Sequence, residues 1–293
     1  MNNASNRPLA WLLLLVLSII WGSSFVLMFE GLKMYSSTQL AAFRIGIAGL
    51  LFLPFGLINI FKVDKSDIKW FALSGVMGNF IPAFCFAYAQ TYLQSSTAGA
   101  LNALTPFFTL IAGIVLFSKT FNKYKIIGIV LGLIGALSLI INKAGGRIET
   151  HYEYGLIILI STLFYGINVN VIENKLSKYK PLYIASIPLS LIFFPSLICL
   201  IVFRFPFEQA LNASFINSTI AIATLGIAGT GLSLILFNRL IQITNGLFAS
   251  TVTYLMPVVS TLWGIYYHEP IGLIQIASLC LILLGILVVR KFN

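Results

Sequence analysis

Apolar residues occupy this chain in long unbroken runs, punctuated by short clusters of charge, glycine, proline and serine. The runs fall at approximately 9–29, 38–60, 69–92, 97–117, 124–142, 153–172, 182–203, 218–240, 247–267 and 271–289. Each is close to the ~20 residues that a helix needs to cross ~30 Å of hydrocarbon. Strands of a membrane barrel would be about 10 residues long with polar alternation, a pattern the runs lack. The expected fold is therefore an all-α membrane protein with ten transmembrane helices. The linkers leave no room for a soluble domain. The first run is long for a signal peptide and no A-x-A-like cleavage site follows it, so it is expected to be retained.

The pattern also matches itself. Ala72–Gly113 recurs as Ala223–Gly264, displaced by about 151 residues. Gly75, Gly78, Phe86, Ala98, Leu104, Pro106 and Gly113 fall opposite Gly226, Gly229, Phe237, Ala249, Leu255, Pro257 and Gly264. A weaker match joins the opening runs, where Trp21-Gly22 lies opposite Tyr165-Gly166 and Ser24 opposite Asn168. Five runs in each half is an odd number, so the second copy enters the membrane from the other side. Residues 1–145 and 146–293 are thus expected to form two inverted five-helix repeats. Loop charge agrees, since Lys119, Lys123 and Lys125 follow the fourth run whereas His268 and Glu269 follow the ninth. Duplicated membrane modules leave a solvated seam where they meet, which points to a transporter of small-molecule substrates.

Composition strengthens the class: 59% of residues are hydrophobic and 9% charged, with a mean hydropathy of +0.97. The net charge of +10 does not indicate a nucleic-acid partner, because the basic residues are sorted by loop. One set of loops holds Arg7, Lys62, Lys65, Lys69, Lys119, Lys123, Lys125, Lys175, Lys178, Lys180, Arg239, Arg290 and Lys291; the other has Lys33, Lys143, Arg147 and Arg204. By the positive-inside rule both termini are cytoplasmic, in a bilayer expected to be a bacterial cytoplasmic (inner) membrane. Cys85, Cys199 and Cys280 lie within apolar runs without metal-like spacing and read as small hydrophobes. His151 and His268 are in outer loops, and there is no H-E-x-x-H, no G-x-S-x-G and no embedded pair of acids. No catalytic residue, metal or cofactor is expected; the alternative is a non-transport membrane protein, either an intramembrane enzyme or a lipid-handling or structural subunit. Nothing sets an oligomeric state.

Residues that break the apolar pattern at depth are the candidates for solute contact. Arg44 is the charged side chain well inside a run, a placement costing several kcal/mol unless paired or hydrated. Two readings are open for it, a structural arginine that snorkels to the membrane interface or bonds to backbone carbonyls, and a fork for a substrate carboxylate. Asn79, flanked by Gly75, Gly78 and Pro82, and its counterpart Thr230 either join helices through hydrogen bonds or line a cavity. Pro106 and Pro257 lie mid-run, where each frees a carbonyl about one turn earlier, near Asn102 and Thr253. They serve either as hinges or as static kinks satisfied by Thr105 or a neighbour. Asn102 and Tyr254 fall at the same depth. Trp21, Tyr88, Tyr165, Tyr254 and Trp263 are candidate pocket walls, with simple helix packing as the alternative. Asn168, Asn170 and Asn238 suit either an inner vestibule or interhelical bonds. Glu30 and Glu173 are terminal on their runs, which leaves no buried carboxylate to shuttle protons.

Taken together, Trp21-Gly22-Ser23-Ser24-Phe25, Phe43-Arg44, Ala98–Pro106 with its copy Ala249–Pro257, and Glu269-Pro270 resemble the EamA-type drug/metabolite transporters. The resemblance spans nearly the whole chain. It implies a ten-helix fold with a central substrate cavity between the halves, and a secondary exporter of amino acids or related amphipathic solutes working by alternating access. One position departs from duplication: opposite Glu269 the first half has Lys119 or Ser118, so any role the family gives that acid is not repeated here.

Overall fold

The computed structural model describes residues 7–93, 95–143, 152–205, 213–266 and 273–291, with the side chains of 260–266 among those left undescribed. No strand occurs among the described residues. The helices are α1 (Arg7–Leu32), α2 (Ser37–Asn59), α3 (Ile68–Gly75, a π turn over Val76–Phe80, then Ile81–Ala89), α4 (Ser95–Asn102), α5 (Thr105–Phe117) and α6 (Lys123–Lys143). They continue as α7 (Tyr152–Val171, ending in a π turn over Ile172–Leu176), α8 (Pro181–Val202), α9 (Ala213–Gly226, a π turn over Ile227–Leu232, then Ser233–Ile243), α10 (Gly246–Ser250), α11 (Val252–Tyr266) and α12 (Leu273–Lys291).

Six stretches among the described residues are long and apolar enough to cross a membrane: Arg7–Leu32, Ser37–Lys62, Lys65–Ala89, Glu153–Leu176, Pro181–Val202 and Ala213–Ile243. Their outward faces keep large side chains bare, such as Leu12, Leu50 and Ile198 at 57%, 60% and 60% exposure. Such faces fit hydrocarbon and not water, and the chain is an integral membrane protein. Local chemistry sets where helices start. Ser36 and Gln39 form a capping box at α2, Pro181 opens α8, and the Asn245 side chain accepts from Phe248 N at α10.

The fourth and ninth runs are not continuous helices. α4 ends at Asn102 and α5 restarts at Thr105, while α10 and α11 are separated at Thr251. Pro106, expected as a mid-helix kink, therefore lies in the first turn of α5, where its missing N–H is no loss. The carbonyl of Asn102 accepts from Thr105 Oγ1 at 2.7 Å. Pro257 does lie inside its helix.

Helices pair in a pattern that survives exchange of the two halves. α2 packs on α8 and α6 on α12; α5 meets α7 as α11 meets α1; α3 meets α7 as α9 meets α1. The self-matched pairs run antiparallel. Along α2, Gly46, Gly49 and Gly56 approach Ser196, Phe193 and Ser190 in turn. Along α6, Gly128 and Gly135 approach Val289 and Ile282. The second seam is held by close backbone contact, since a methyl group on Gly285 would sit 2.6 Å from Gly132 N and 2.7 Å from Gly128 O. Two apolar cores stack along the helix axes. One gathers Leu14, Phe71, Leu176 and Phe248, the other Phe25, Leu40, Ile45 and Ile222. Trp21 touches both, and the cavity opens at its level.

Candidate functional site

Between the cores lies a cavity of about 120 Å³, room for several waters or a small organic solute. Both halves build it. Trp21, Ser24, Phe25 and Met28 come from α1, Arg44 from α2, Gly78, Asn79 and Phe86 from α3, and Asn102 and Thr105 from the break between α4 and α5. Opposite them stand Tyr165, Asn168, Val169 and Ile172 from α7, Gly229, Thr230, Leu234 and Phe237 from α9, and Ser250, Val252, Thr253 and Met256 at the α10–α11 break.

Most of this lining falls into pairs related by the internal repeat. Trp21, Ser24, Phe25 and Met28 correspond to Tyr165, Asn168, Val169 and Ile172 in the register that aligns the opening runs. In the register of the longer match, Gly78, Asn79, Phe86, Asn102 and Thr105 correspond to Gly229, Thr230, Phe237, Thr253 and Met256. The same displacements are the sequence signal for the paired walls, since they carry Trp21 onto Tyr165, Asn79 onto Thr230 and Asn102 onto Thr253; Val169 and Met256 follow only from Phe25 and Thr105, which, like Met28 and Ile172, the sequence pattern does not single out as walls. Arg44 has no such counterpart, because the matching turn of α8 carries Ile187 and Pro188.

Two of the three π turns among the described residues, Val76–Phe80 and Ile227–Leu232, are repeat-related and both face the cavity. A π turn widens the helix and takes its carbonyls out of register. Here Gly229 O accepts from Trp21 Nε1 at 2.8 Å and from Ser233 Oγ at 2.7 Å. Glycine is needed at 231 because a methyl there would meet the Phe52 ring at 2.6 Å.

Arg44 turns inward. Its Nε donates to Thr230 Oγ1 at 2.8 Å, and among the described residues no carboxylate pairs with it and no other charged group lines the cavity. Asn79 lines the cavity, and its side chain forms no hydrogen bond to another described residue. Asn168 is 7% exposed and its Oδ1 has no partner. Asn102 Nδ2 contacts Met256 Sδ at 3.1 Å, linking the two helix breaks. Tyr165 stacks on Phe86, with ring centres 6.0 Å apart.

Two sequence-derived candidates, Tyr254 and Tyr88, are not in this wall. Tyr254 is fully buried elsewhere, its hydroxyl donating to Ile129 O at 2.7 Å and its ring lying against Gly132. Tyr88 is 43% exposed in an outer cluster with Tyr92 and Tyr154. The side chain of Trp263 lies outside the described residues, as do His268 and Glu269. Asn238 is buried away from the cavity with its Oδ1 unpartnered, whereas Asn170 Nδ2 donates to Thr109 O at 2.9 Å, joining α7 to α5. Glu173, expected as a simple terminal acid, is half-buried and bonded to Lys119 at 2.7 Å.

The lysine-rich end of the bundle carries a second polar tie between halves. Lys178 Nζ lies 2.7 Å from Asp64 Oδ2 and 2.8 Å from Asp67 Oδ2, and Tyr179 OH donates to Asp67 at 2.7 Å. The Lys178 and Tyr179 hydrogen bonds hold the Asp64 carboxyl below its usual pKa. The same carboxylates raise that of Lys178.

A helical membrane protein with a mainly apolar cavity, set with a few polar groups, at the seam of two matched halves has the architecture of a transporter. The chain belongs to the EamA-like transporter family, whose model matches residues 8–141 and 154–291. An "Uncharacterized transporter" of Archaeoglobus fulgidus is 27% identical over 290 residues, covering 96% of this chain and 99% of that one. YoaV, an "Uncharacterized transporter" of Bacillus subtilis, is 23% identical over 92% of each. A "Probable amino-acid metabolite efflux pump" of Salmonella typhimurium is 26% identical over 58% of this chain and 54% of its own length. A solved crystal structure superposes with a TM-score of 0.73 at 18% identity, covering 98% of this chain and 99% of that chain, a likeness of fold.

Proposed function

We propose that the chain is a secondary exporter, and not an enzyme, that moves small carboxylate-bearing metabolites, amino acids among them, through the central cavity. The carrying observation is Arg44, the lone charge on the cavity wall among the described residues, with Nε fixed by Thr230 and no protein carboxylate beside it. A cation held away from bulk water is costly unless a counter-charge comes to it. A solute carboxylate about 4 Å away at an effective dielectric of about 20 recovers about 4 kcal/mol, on the order of a thousandfold in affinity. The aromatic and aliphatic walls from Trp21, Phe25, Tyr165 and Phe237 suit the apolar part of such a solute, and Asn79, Asn102 and Asn168 its polar groups. The relative described as an amino-acid metabolite efflux pump supports the same class.

The architecture we infer is ten spans in two inverted repeats, 1–145 and 146–293, that rock around this site, with both termini on the cytoplasmic side of an inner membrane. α4 with α5, α6, α10 with α11, and α12 supply the spans beyond the six longest. The antiparallel pairing of α2 with α8 and of α6 with α12 supports inversion, because a two-fold axis in the membrane plane reverses the direction of each helix onto its mate. The loop lysines support the orientation.

Counterflow in proteoliposomes tests the reading with amino acids set against their decarboxylated amines. Acids are expected to exchange and amines not. Arg44→Met is expected to lose at least about a hundredfold in exchange rate at low substrate, a loss of about 2.7 kcal/mol in recognition. Undiminished exchange by a folded Arg44→Met protein would refute the carboxylate role.

A further inference from the structure

A second polar cavity of about 170 Å³ lies toward the lysine-rich end, with Thr109, Lys119, Asn170 and Glu173 in its wall. It adjoins the central cavity along α7: Val169 and Ile172 face the centre, Asn170 and Glu173 the second cavity.

One carboxylate oxygen there joins three elements. Glu173 Oε2, on the terminal π turn of α7, lies 2.7 Å from Lys119 Nζ in the linker after α5 and accepts from Gly246 N at the start of α10 at 3.0 Å. Glycine is required at 246, since a methyl there would stand 2.6 Å from both Glu173 Oε2 and Val169 Cγ1. The bond thus ties the first half, through Lys119, to two elements of the second. At the other end the acid in the corresponding stretch of α1, Glu30, pairs with Lys33 on its own chain segment at 2.7 Å, and its carboxylate joins no second element among the described residues. Both members of the Glu173 pair keep some exposure, 20% for Lys119 and 27% for Glu173, so solvent can reach them once the elements part.

We propose that Glu173 is the latch of a gate at the lysine-rich end: its carboxylate holds Lys119 and Gly246 together while that end is shut and releases both when the second cavity opens. The gate rests on the transport reading but is tested without substrate. In a protein with Cys85, Cys199 and Cys280 replaced by alanine, Thr109→Cys reports on the second cavity and Met28→Cys on the far side of the central one. Both are reacted with a membrane-impermeant maleimide in vesicles of each orientation. Glu173→Gln and Lys119→Met are expected to speed labelling of Thr109→Cys by about tenfold from one face alone, leaving Met28→Cys unchanged. Gly246→Ala keeps both charges but displaces the carboxylate from the amide, and is expected to give a smaller rise. Unchanged labelling of Thr109→Cys in Glu173→Gln and Lys119→Met overturns the latch; so do equal rises at both reporters, which signify general loosening. Because no solute is needed, failure here leaves the Arg44 counterflow result standing, and the reverse also holds.

Discussion

At the scale of single residues, depth was legible and direction was not. Arg44 lies about six residues from the end of its apolar run, near enough for a long side chain to reach the interface, yet it points into the seam because Thr230 on the neighbouring π turn accepts from its Nε. Tyr254 shares the depth of Asn102 but faces the opposite way, toward Ile129 on α6. Asn168 shows how a buried polar atom is read: Oδ1 has no protein partner, so it contributes little to folding. Asn168→Ala is expected to leave the unfolding temperature in detergent within a few degrees of the parent while lowering counterflow severalfold, since removing an unsatisfied acceptor sacrifices no bond. A parallel fall in both measurements would make the residue structural.

Elements depend on where glycine and proline let the backbone depart from the α-helix. The repeat placed Gly78 opposite Gly229, and each copy forms a π turn there. It also placed Pro106 opposite Pro257, but the helix breaks do not coincide, falling just before Pro106 in one copy and at Thr251 in the other. The Thr105 hydroxyl closing on Asn102 O stabilises the first break; in the second copy Met256 occupies the corresponding position and has no hydroxyl. The α6–α12 seam is an unforgiving contact, because backbone atoms cannot give way as flexible side chains do. Gly285→Ala is expected to destabilise by about 1–3 kcal/mol, seen as a drop of several degrees in unfolding temperature. An unshifted transition would mean that these helices are not in backbone contact.

Across the whole molecule, charge ties the halves at the lysine-rich end. The Asp64 pKa is depressed, so its share of stability is present above the unfolded value of about 3.9 and is lost as pH falls through the lower folded value. The Lys178 pKa is raised, so its share is full below about 10.4 and is lost as pH climbs through the folded value. The tie is therefore intact across the neutral range. Thermal unfolding of the parent and of Lys178→Met should differ by a constant amount from about pH 5 to pH 9, and the difference should shrink in stronger acid. A difference indifferent to acid would remove Asp64 from the tie. Glu173 makes the same point about legibility: its run-end position marked it as unremarkable, and nothing in the sequence paired it with Lys119 and Gly246.

The sequence alone determined that the chain lives in lipid, that it is helical, and that it is built twice, because run length and the spacing of glycine and proline are properties of the backbone within one segment. Which faces of those helices meet is a property of two segments at once. Only the tertiary structure turned Arg44 inward, withdrew Tyr88 and Tyr254 from the cavity, and set repeat-related side chains around a single asymmetric charge. Azimuth around a helix in lipid carries no hydrophobic cost that a sequence pattern can record, so it is fixed by close contact between small residues on neighbouring helices.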